Sequence, residues 1–370
     1  MNNPRLTIGL VRRGHSETGG AETYLKRLAR GLSEAGNPVR LFTDAAWPTR
    51  EWPWGAITRL RGETARRFAD ELEKSEPHRH CDLLLSLERV WSCDVYRAGD
   101  GIHRAWLQRR AAASSFSRQW LDRFNAKHRE ILELEKALFC GGARHVITNS
   151  QMVKREAKQF YEYPCAQIDV VPNGVPITDF HPDPETRRLR RRILRLRDEE
   201  IAVLFVGSGW ERKGLRFAVQ AVKSLGRNFR LIVAGRGRSQ MARGRHVSRL
   251  GAVRDLPALY SAADIFLLPT LYDPFSNACL EALAAGLPVI TTRANGFCEI
   301  IDHGFHGSIL ETASDVAQLR TALLFWSDPE RRSEARRVIL QRAAHFDISV
   351  NVERTLEVLH QLPRAADSSG

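Results

Sequence analysis

The sequence predicts an α/β protein of two doubly wound parallel-sheet domains in tandem. Three observations predict it. Short apolar runs alternate with amphipathic helical stretches along the chain. The alternation halts at a turn-rich segment, Pro172-Asn173-Gly174-Val175-Pro176 with Pro182 and Pro184 beyond it, and then restarts. One stretch, Asp264 to Thr292, shows the repeating unit whole: an apolar run, a polar loop, a helix stopped by Gly286 and Pro288, and a second apolar run. At 370 residues the chain also exceeds one typical core. The domains are set at 1–172 and 173–349, with a helix near 350–365 expected to pack back on the first. Two such domains predict a cleft between them.

Leu6 to Val11 reads as the first strand. A glycine-rich loop, Arg12 to Gly20, leads into a helix from about Ala21 to Ala35. Strand, glycine loop and helix is a phosphate-binding arrangement, although the spacing is neither G-x-G-x-x-G nor a Walker loop. Val39 to Thr43 and Asp82 to Leu87 read as strands, with a helix over Glu63 to Glu73 between them. From Arg104 to Leu138 the chain is mostly helical. There Trp106, Phe116, Trp120 and Phe124 interleave with Arg104, Arg109, Arg110, Arg118, Arg123, Lys127 and Arg129. This segment, 104–130, suits an anionic bilayer surface; it equally suits a helix with its aromatics on the core and its arginines in water. His145 to Asn149 and Ile168 to Val171 close the first sheet.

After the linker, Arg187 to Arg197 predicts a basic helix with a solvated face and with Ile193, Leu194 and Leu196 turned inward. Ile201 to Val206 is a strand, Gly207 to Gly214 a loop, and Leu215 to Leu225 a helix. Leu231 to Ala234, followed by Gly235-Arg236-Gly237, repeats the strand-then-glycine pattern. His246 to Leu250 is a strand and Leu256 to Ala263 a helix. Ile265 to Leu268, the helix Ala278 to Ala285 and Val289 to Thr291 form the unit named above. Helices near Ala313 to Trp326, Pro329 to Ala344 and Val350 to Leu362 follow.

In the Asp264–Thr292 unit the helix N-terminus falls at the strand-end edge of a parallel sheet, where unpaired N–H groups can receive an anion. Asp273 and Glu281 flank it, two acceptors for hydroxyl hydrogen bonds, so a phosphorylated sugar suits the site. On these residues alone an ordinary βαβ unit with surface acids stands beside that reading.

Composition narrows the class. The chain is 43% hydrophobic and 27% charged, as soluble globular proteins are, and holds no apolar run long enough to span a bilayer. The N-terminus has no secretory cleavage pattern. Six cysteines lack metal-site spacing, which points to reduced thiols rather than zinc or disulfides. The formal charge of +13 calls for an anionic surface, nucleic acid or an anionic substrate. No recognised nucleic-acid motif supports the second, and a basic protein without a polyanionic partner stays open.

Asp273-Pro274-Phe275 with Glu281-Ala282-Leu283-Ala284-Ala285-Gly286-Leu287-Pro288-Val289 resembles the E-x7-E signature of family 4 retaining glycosyltransferases. Ser208 to Gly214, with Arg212-Lys213-Gly214, resembles that family's diphosphate loop. Gly19-Gly20-Ala21-Glu22 resembles its N-terminal glycine loop, and Val171 to Val175 its interdomain linker. The resemblance runs collinearly from residue 5 to about 362. Asp94 to Trp106 further resembles the lipopolysaccharide core glucosyltransferases of the family.

The resemblance implies the GT-B fold, two Rossmann-like domains facing across a cleft. It implies hexose transfer, most simply of glucose from UDP-glucose onto an inner-core heptose of lipopolysaccharide, by a cytoplasmic enzyme peripheral on the inner membrane. No metal and no cofactor beyond the nucleotide-sugar donor are implied. Other glycan or lipid acceptors, and sugar-nucleotide epimerisation, are the alternatives. Lys213, with Arg212, is implied at the diphosphate, Glu281 at the ribose and Asp273 at the moving sugar. Phe275, Ser276, Asn277 and Ala278 would line the donor, Arg254 would lie near uracil, and Gly19 and Gly20 would admit the donor to the first domain. Asp100 and His103 would orient or deprotonate the acceptor hydroxyl. Two positions depart from the pattern. Asp273 replaces Glu in the first acid position, and Gly207 stands where many members carry an arginine, leaving Arg212 or Arg12 as the second cation.

Overall fold

The computed structural model describes residues 5–16, 19–44, 47–112, 125–237 and 244–362. The chain forms two compact units, Met1–Asn173 with Ile348–Gly370, and Gly174–Asp347.

The first domain holds seven parallel strands: β1 Ile8–Val11, β2 Val39–Thr43, β3 Gly55–Arg59, β4 Leu83–Ser86, β5 Cys93–Arg97, β6 Ala143–Thr148 and β7 Ile168–Val170. Their order is β3-β2-β1-β4-β5-β6-β7. Its helices before the linker are α1 Gly20–Glu34, α2 Ala65–Lys74, α3 His103–Ala112, α4 Ala126–Ala137 and α5 Gln151–Tyr161. The central strands β1 and β4 are buried at every residue, because helices cover both faces of a parallel sheet. The last helix of the chain, Ile348–Gln361, also belongs to this domain. Its Val352, Val358 and Leu359 join the core of Leu25, Leu28 and Leu32 from α1. The fit is close, since a Cβ on Gly31 would lie 2.5 Å from Val352.

The second domain holds six parallel strands: β8 Ile201–Val206, β9 Phe229–Ala234, β10 Val247–Gly251, β11 Ile265–Leu268, β12 Val289–Thr292 and β13 Gly307–Leu310, in the order β10-β9-β8-β11-β12-β13. Its helices are α6 Pro184–Ile193, α7 Leu215–Lys223, α8 Leu256–Ala262, α9 Asn277–Ala284, α10 Val316–Phe325 and α11 Pro329–Ala344; the last helix is then α12. In each sheet the winding reverses beside the first strand, between β1 and β4 and between β8 and β11. Ligands of open α/β sheets bind at such reversals, beyond the carboxyl ends of the strands.

The basic helix α6 corrects an expectation. It ends at Ile193, whose side chain is 58% exposed, as is that of Leu189; Leu196, beyond the helix, is buried. Arginine turns inward instead. Arg191 is buried and its Nη1 stands 3.0 Å from Asp264 Oδ2, while Arg187 Nη2 stands 2.6 Å from Oδ1. Asp264 also accepts the backbone N–H of Ala202 at 2.7 Å. Positions 187 and 191 share one helical face, and positions 189 and 193 lie about 200° around from it. The buried carboxylate therefore sets which face of α6 points in, because an unpaired charge there costs more than two exposed aliphatic side chains.

Candidate active site

The loops after β8 and β11 meet at the reversal of the second sheet. Lys213 Nζ donates to Asp273 Oδ2 at 2.7 Å, and both side chains are largely buried. The loop carrying the lysine is shaped by glycine. Gly214 has φ +72, and a Cβ there would lie 1.8 Å from the Pro269 carbonyl oxygen, so angle and space both demand glycine. A Cβ on Gly207 would press on the Lys213 stem at 3.1 Å. The two loops are tied together by the Arg212 carbonyl, which accepts from the Thr270 hydroxyl and the Leu271 amide, each at 2.8 Å. The Arg212 side chain is half-buried.

Asp273 is fixed through its backbone as well: its N–H donates to the Ala294 carbonyl and its carbonyl accepts from Gly296, each at 2.9 Å. Ser276 caps α9, its hydroxyl accepting from the Cys279 amide. Asn277 and Ala278 open that helix, half-buried. Glu281, one turn on, is 6% exposed, and its Oε2 accepts from the Tyr260 hydroxyl at 3.1 Å. Phe275 lies in the core, edge-on to Phe297, so it braces the loop from beneath. Arg254 is exposed, immediately before Asp255, the N-cap of α8.

Two residues that sequence reasoning passed over shape this site. Tyr260 holds Glu281. Asn295, fully buried, accepts from the amides of Ser276 and Phe297 through Oδ1 and donates through Nδ2 to Thr291 Oγ1 and Cys279 Sγ. No spacing signal marks an asparagine that works through backbone amides; an Asx residue after a strand in a turn was the only cue. Burial pushes the Cys279 thiol up to about 12, and all six cysteines are free. Among the described residues, no group of three or more His, Cys, Asp or Glu could hold a metal ion.

In the first domain, Gly19 precedes α1, and a Cβ on it would strike Glu22 Oε2, whereas the space at Gly20 is open. Arg12 is engaged by three carboxylates: Glu22 at 3.3 Å, Asp100 at 3.2 Å and Glu88 at 3.7 Å. Asp100 remains half exposed. His103 opens α3. Its backbone N–H donates to Glu135 Oε2 at 2.6 Å, and its Nε2 lies 3.0 Å from His128 Nδ1. Burial above all, then the Arg89 and His128 charges, lowers the His103 pKa to about 3. Glu135 is fully buried and also takes the Arg104 amide, Arg89 Nε and the Tyr161 hydroxyl, an acidic cap for the positive end of α3. In 104–130, Phe116, Arg118, Trp120, Arg123 and Phe124 lie outside the described residues. Arg109 pairs with Glu156 at 2.7 Å, and Arg104 lies over the Phe160 ring.

Two doubly wound parallel sheets in tandem, one with a lysine–carboxylate pair at its reversal beside a capped helix, match the GT-B fold of solved glycosyltransferases. A crystal structure of WaaG, a glycosyltransferase involved in lipopolysaccharide biosynthesis, matches this fold with TM-score 0.79 at 20% identity, over 95% of this chain and 99% of that one. The Anabaena protein HepE, solved in complex with UDP-glucose, matches with TM-score 0.72 at 18% identity, over 97% of this chain and 100% of that one. Residues 18–179 match the Glycosyltransferase Family 4 model and residues 200–327 the Glycosyl transferases group 1 model, and the chain belongs to this glycosyltransferase family. Among curated relatives, the D-inositol 3-phosphate glycosyltransferase of Pseudarthrobacter chlorophenolicus is 25% identical, over 94% of this chain and 91% of its own. The lipopolysaccharide glucosyltransferase WaaG of Escherichia coli K12 is 23% identical, over 82% of this chain and 85% of its own.

Proposed function

We propose that the chain is a retaining, metal-independent hexosyltransferase that moves glucose from UDP-glucose onto an inner-core heptose of lipopolysaccharide, working at the cytoplasmic face of the inner membrane. The observation that carries the donor half is the Lys213–Asp273 pair at the reversal of the second sheet, beside the capped N-terminus of α9. Transfer breaks the bond between the anomeric carbon and the diphosphate oxygen, and the electron pair leaves with UDP. A new bond forms from the acceptor oxygen on the same face of the sugar, and that oxygen's proton passes to the departing diphosphate oxygen. Charge therefore grows on the diphosphate, where the Lys213 ammonium, aided by Arg212 and the first amides of α9, stabilises it. Asp273 then accepts from hydroxyls of the moving glucose and Glu281, steadied by Tyr260, from those of the ribose. Gly19 and Gly20 admit the donor on the first domain's side. Asp100 and His103 orient the acceptor hydroxyl. At neutral pH the His103 ring is uncharged, which suits hydrogen bonding to a hydroxyl. The membrane attachment runs through 104–130.

The likeness to HepE, solved with UDP-glucose, supports the donor, and the likeness to WaaG, by name a lipopolysaccharide glucosyltransferase, supports the acceptor. The longer match to an inositol-phosphate glycosyltransferase favours a second reading, a family 4 transfer to another acceptor. One screen decides: melting shifts with UDP, ADP and GDP sugars, followed by product analysis with heptose-terminated core and with inositol phosphate. A shift with UDP-glucose and transfer to heptose supports the proposal; transfer only to inositol phosphate replaces it. Turnover of UDP-glucose without acceptor into an epimer would mark an epimerase instead.

A further inference from the structure

We propose that the outer face of α6, in the second domain, is a docking surface for anionic lipid bilayers, separate from the 104–130 segment. Four of its side chains form one exposed strip, Arg188, Leu189, Arg192 and Ile193, with Arg195 just beyond. From Thr186 to Arg197 the chain carries no acid. The helix's other arginines are spent inward: Arg187 and Arg191 on Asp264, and Arg190 on Asp255 at 3.5 Å. Arg188, Arg192 and Arg195 make no ion pair among the described residues.

The apolar members separate lipid from other polyanions. Leu189 and Ile193 are each 58% exposed. Leu324 and Phe325, at the end of α10, are also exposed. The Arg331 guanidinium sits 3.7 Å from the Phe325 ring centre. Arg332 donates to the Trp326 carbonyl at 2.7 Å and lies 3.9 Å from Asp264, on the inward side of α6. Arginine flanking protruding aliphatic side chains matches a bilayer interface, with cations at headgroup phosphates and Leu and Ile at the acyl boundary. Nucleic acid would take the arginines and leave those aliphatic groups in water. A second copy of the chain would bring the same arginines face to face.

The test is vesicle sedimentation of the full chain, using phosphatidylcholine alone and phosphatidylcholine with about 30% phosphatidylglycerol, across a salt series. Two variants carry it: Arg188→Glu with Arg192→Glu and Arg195→Glu, and Leu189→Ser with Ile193→Ser. All five positions are exposed, and circular dichroism melts check that both variants fold. Each basic residue near such a surface is worth roughly fivefold in partition, so loss of the three arginines alone should cost about a hundredfold and the three added carboxylates more. The apolar variant should also lose binding, measurably and at every salt concentration. Unchanged partition in both variants overturns the proposal, leaving any binding to other segments. Loss in the charge variant with none in the apolar one also overturns it, because the face is then a general polyanion surface; duplex DNA retention run in parallel would show this.

Discussion

The Lys213 ammonium and the Asp273 carboxylate, sixty positions apart, meet at 2.7 Å where two loops of the second sheet converge. Each neutralises the other, so neither charge is buried alone. Lys213→Ala should therefore destabilise the fold by about 3–5 kcal/mol, because it strands Asp273 at 4% exposure. Adding Asp273→Ala should restore part of the melting temperature without restoring turnover. Near-wild-type turnover in the double variant would remove both residues from the reaction.

Glu281→Ala should cut glycosyl transfer by two orders of magnitude or about that, with a modest change in melting. Tyr260→Phe removes one hydrogen bond to Glu281, worth about 1 kcal/mol, and should weaken donor binding by several-fold. Donor-concentration series on both variants check this, and equal donor affinity across the three proteins would exclude Glu281 from the ribose.

Asn295→Ala should loosen the acid loop. It leaves the Ser276 and Phe297 amides without their acceptor, each at a cost of about 1–3 kcal/mol. Lower melting and a raised KM for donor are expected; a variant with normal KM would show that the loop holds its shape without the side chain.

The folded-state pKa of His103, about 3, lies below the 6.5 of a free imidazole. Between those values the unfolded chain binds the extra proton and the folded chain does not. Stability contributed by the neutral ring is thus complete above pH 6.5 and falls as the pH drops towards 3, by at most about 1.4 kcal/mol per pH unit. Chemical denaturation of wild type and His103→Gln from neutral pH downward checks it. The variant should show the shallower fall, and parallel curves would assign the acid sensitivity elsewhere.

Asp264→Asn should cost about 3–5 kcal/mol, since Arg187 and Arg191 lose their buried counter-charge. Donor-induced melting shifts should persist, because this carboxylate lies at the opposite strand edge from Lys213.

Most strands of both sheets were legible because parallel strands buried on both faces read as unbroken apolar runs. β3 was not: Gly55–Arg59 is an edge strand, half to fully exposed, with no such run. β13, GSIL, was too short and too polar to stand out. The outward turn of α6 was illegible for a different reason. Apolar periodicity favours Ile193 inside, and the partner that reverses this, Asp264, lies 77 positions from Arg187. At the site, Lys213 and the Asp273–Glu281 pair stand out in two separate local motifs, and only the folded chain brings the two together. Asn295 and Tyr260 act by bonds that only the folded chain creates.

The last helix has a consequence for how the protein is made. The first domain begins first on the ribosome, yet α12 supplies part of its core, and Asn351 accepts from the Tyr24 hydroxyl and donates to the Pro172 carbonyl. The second domain, whose residues end at Asp347, is complete while its predecessor still lacks a helix. The domain synthesised first is thus the one that finishes last, and its exposed α1 face is what a chaperone would meet in the interval.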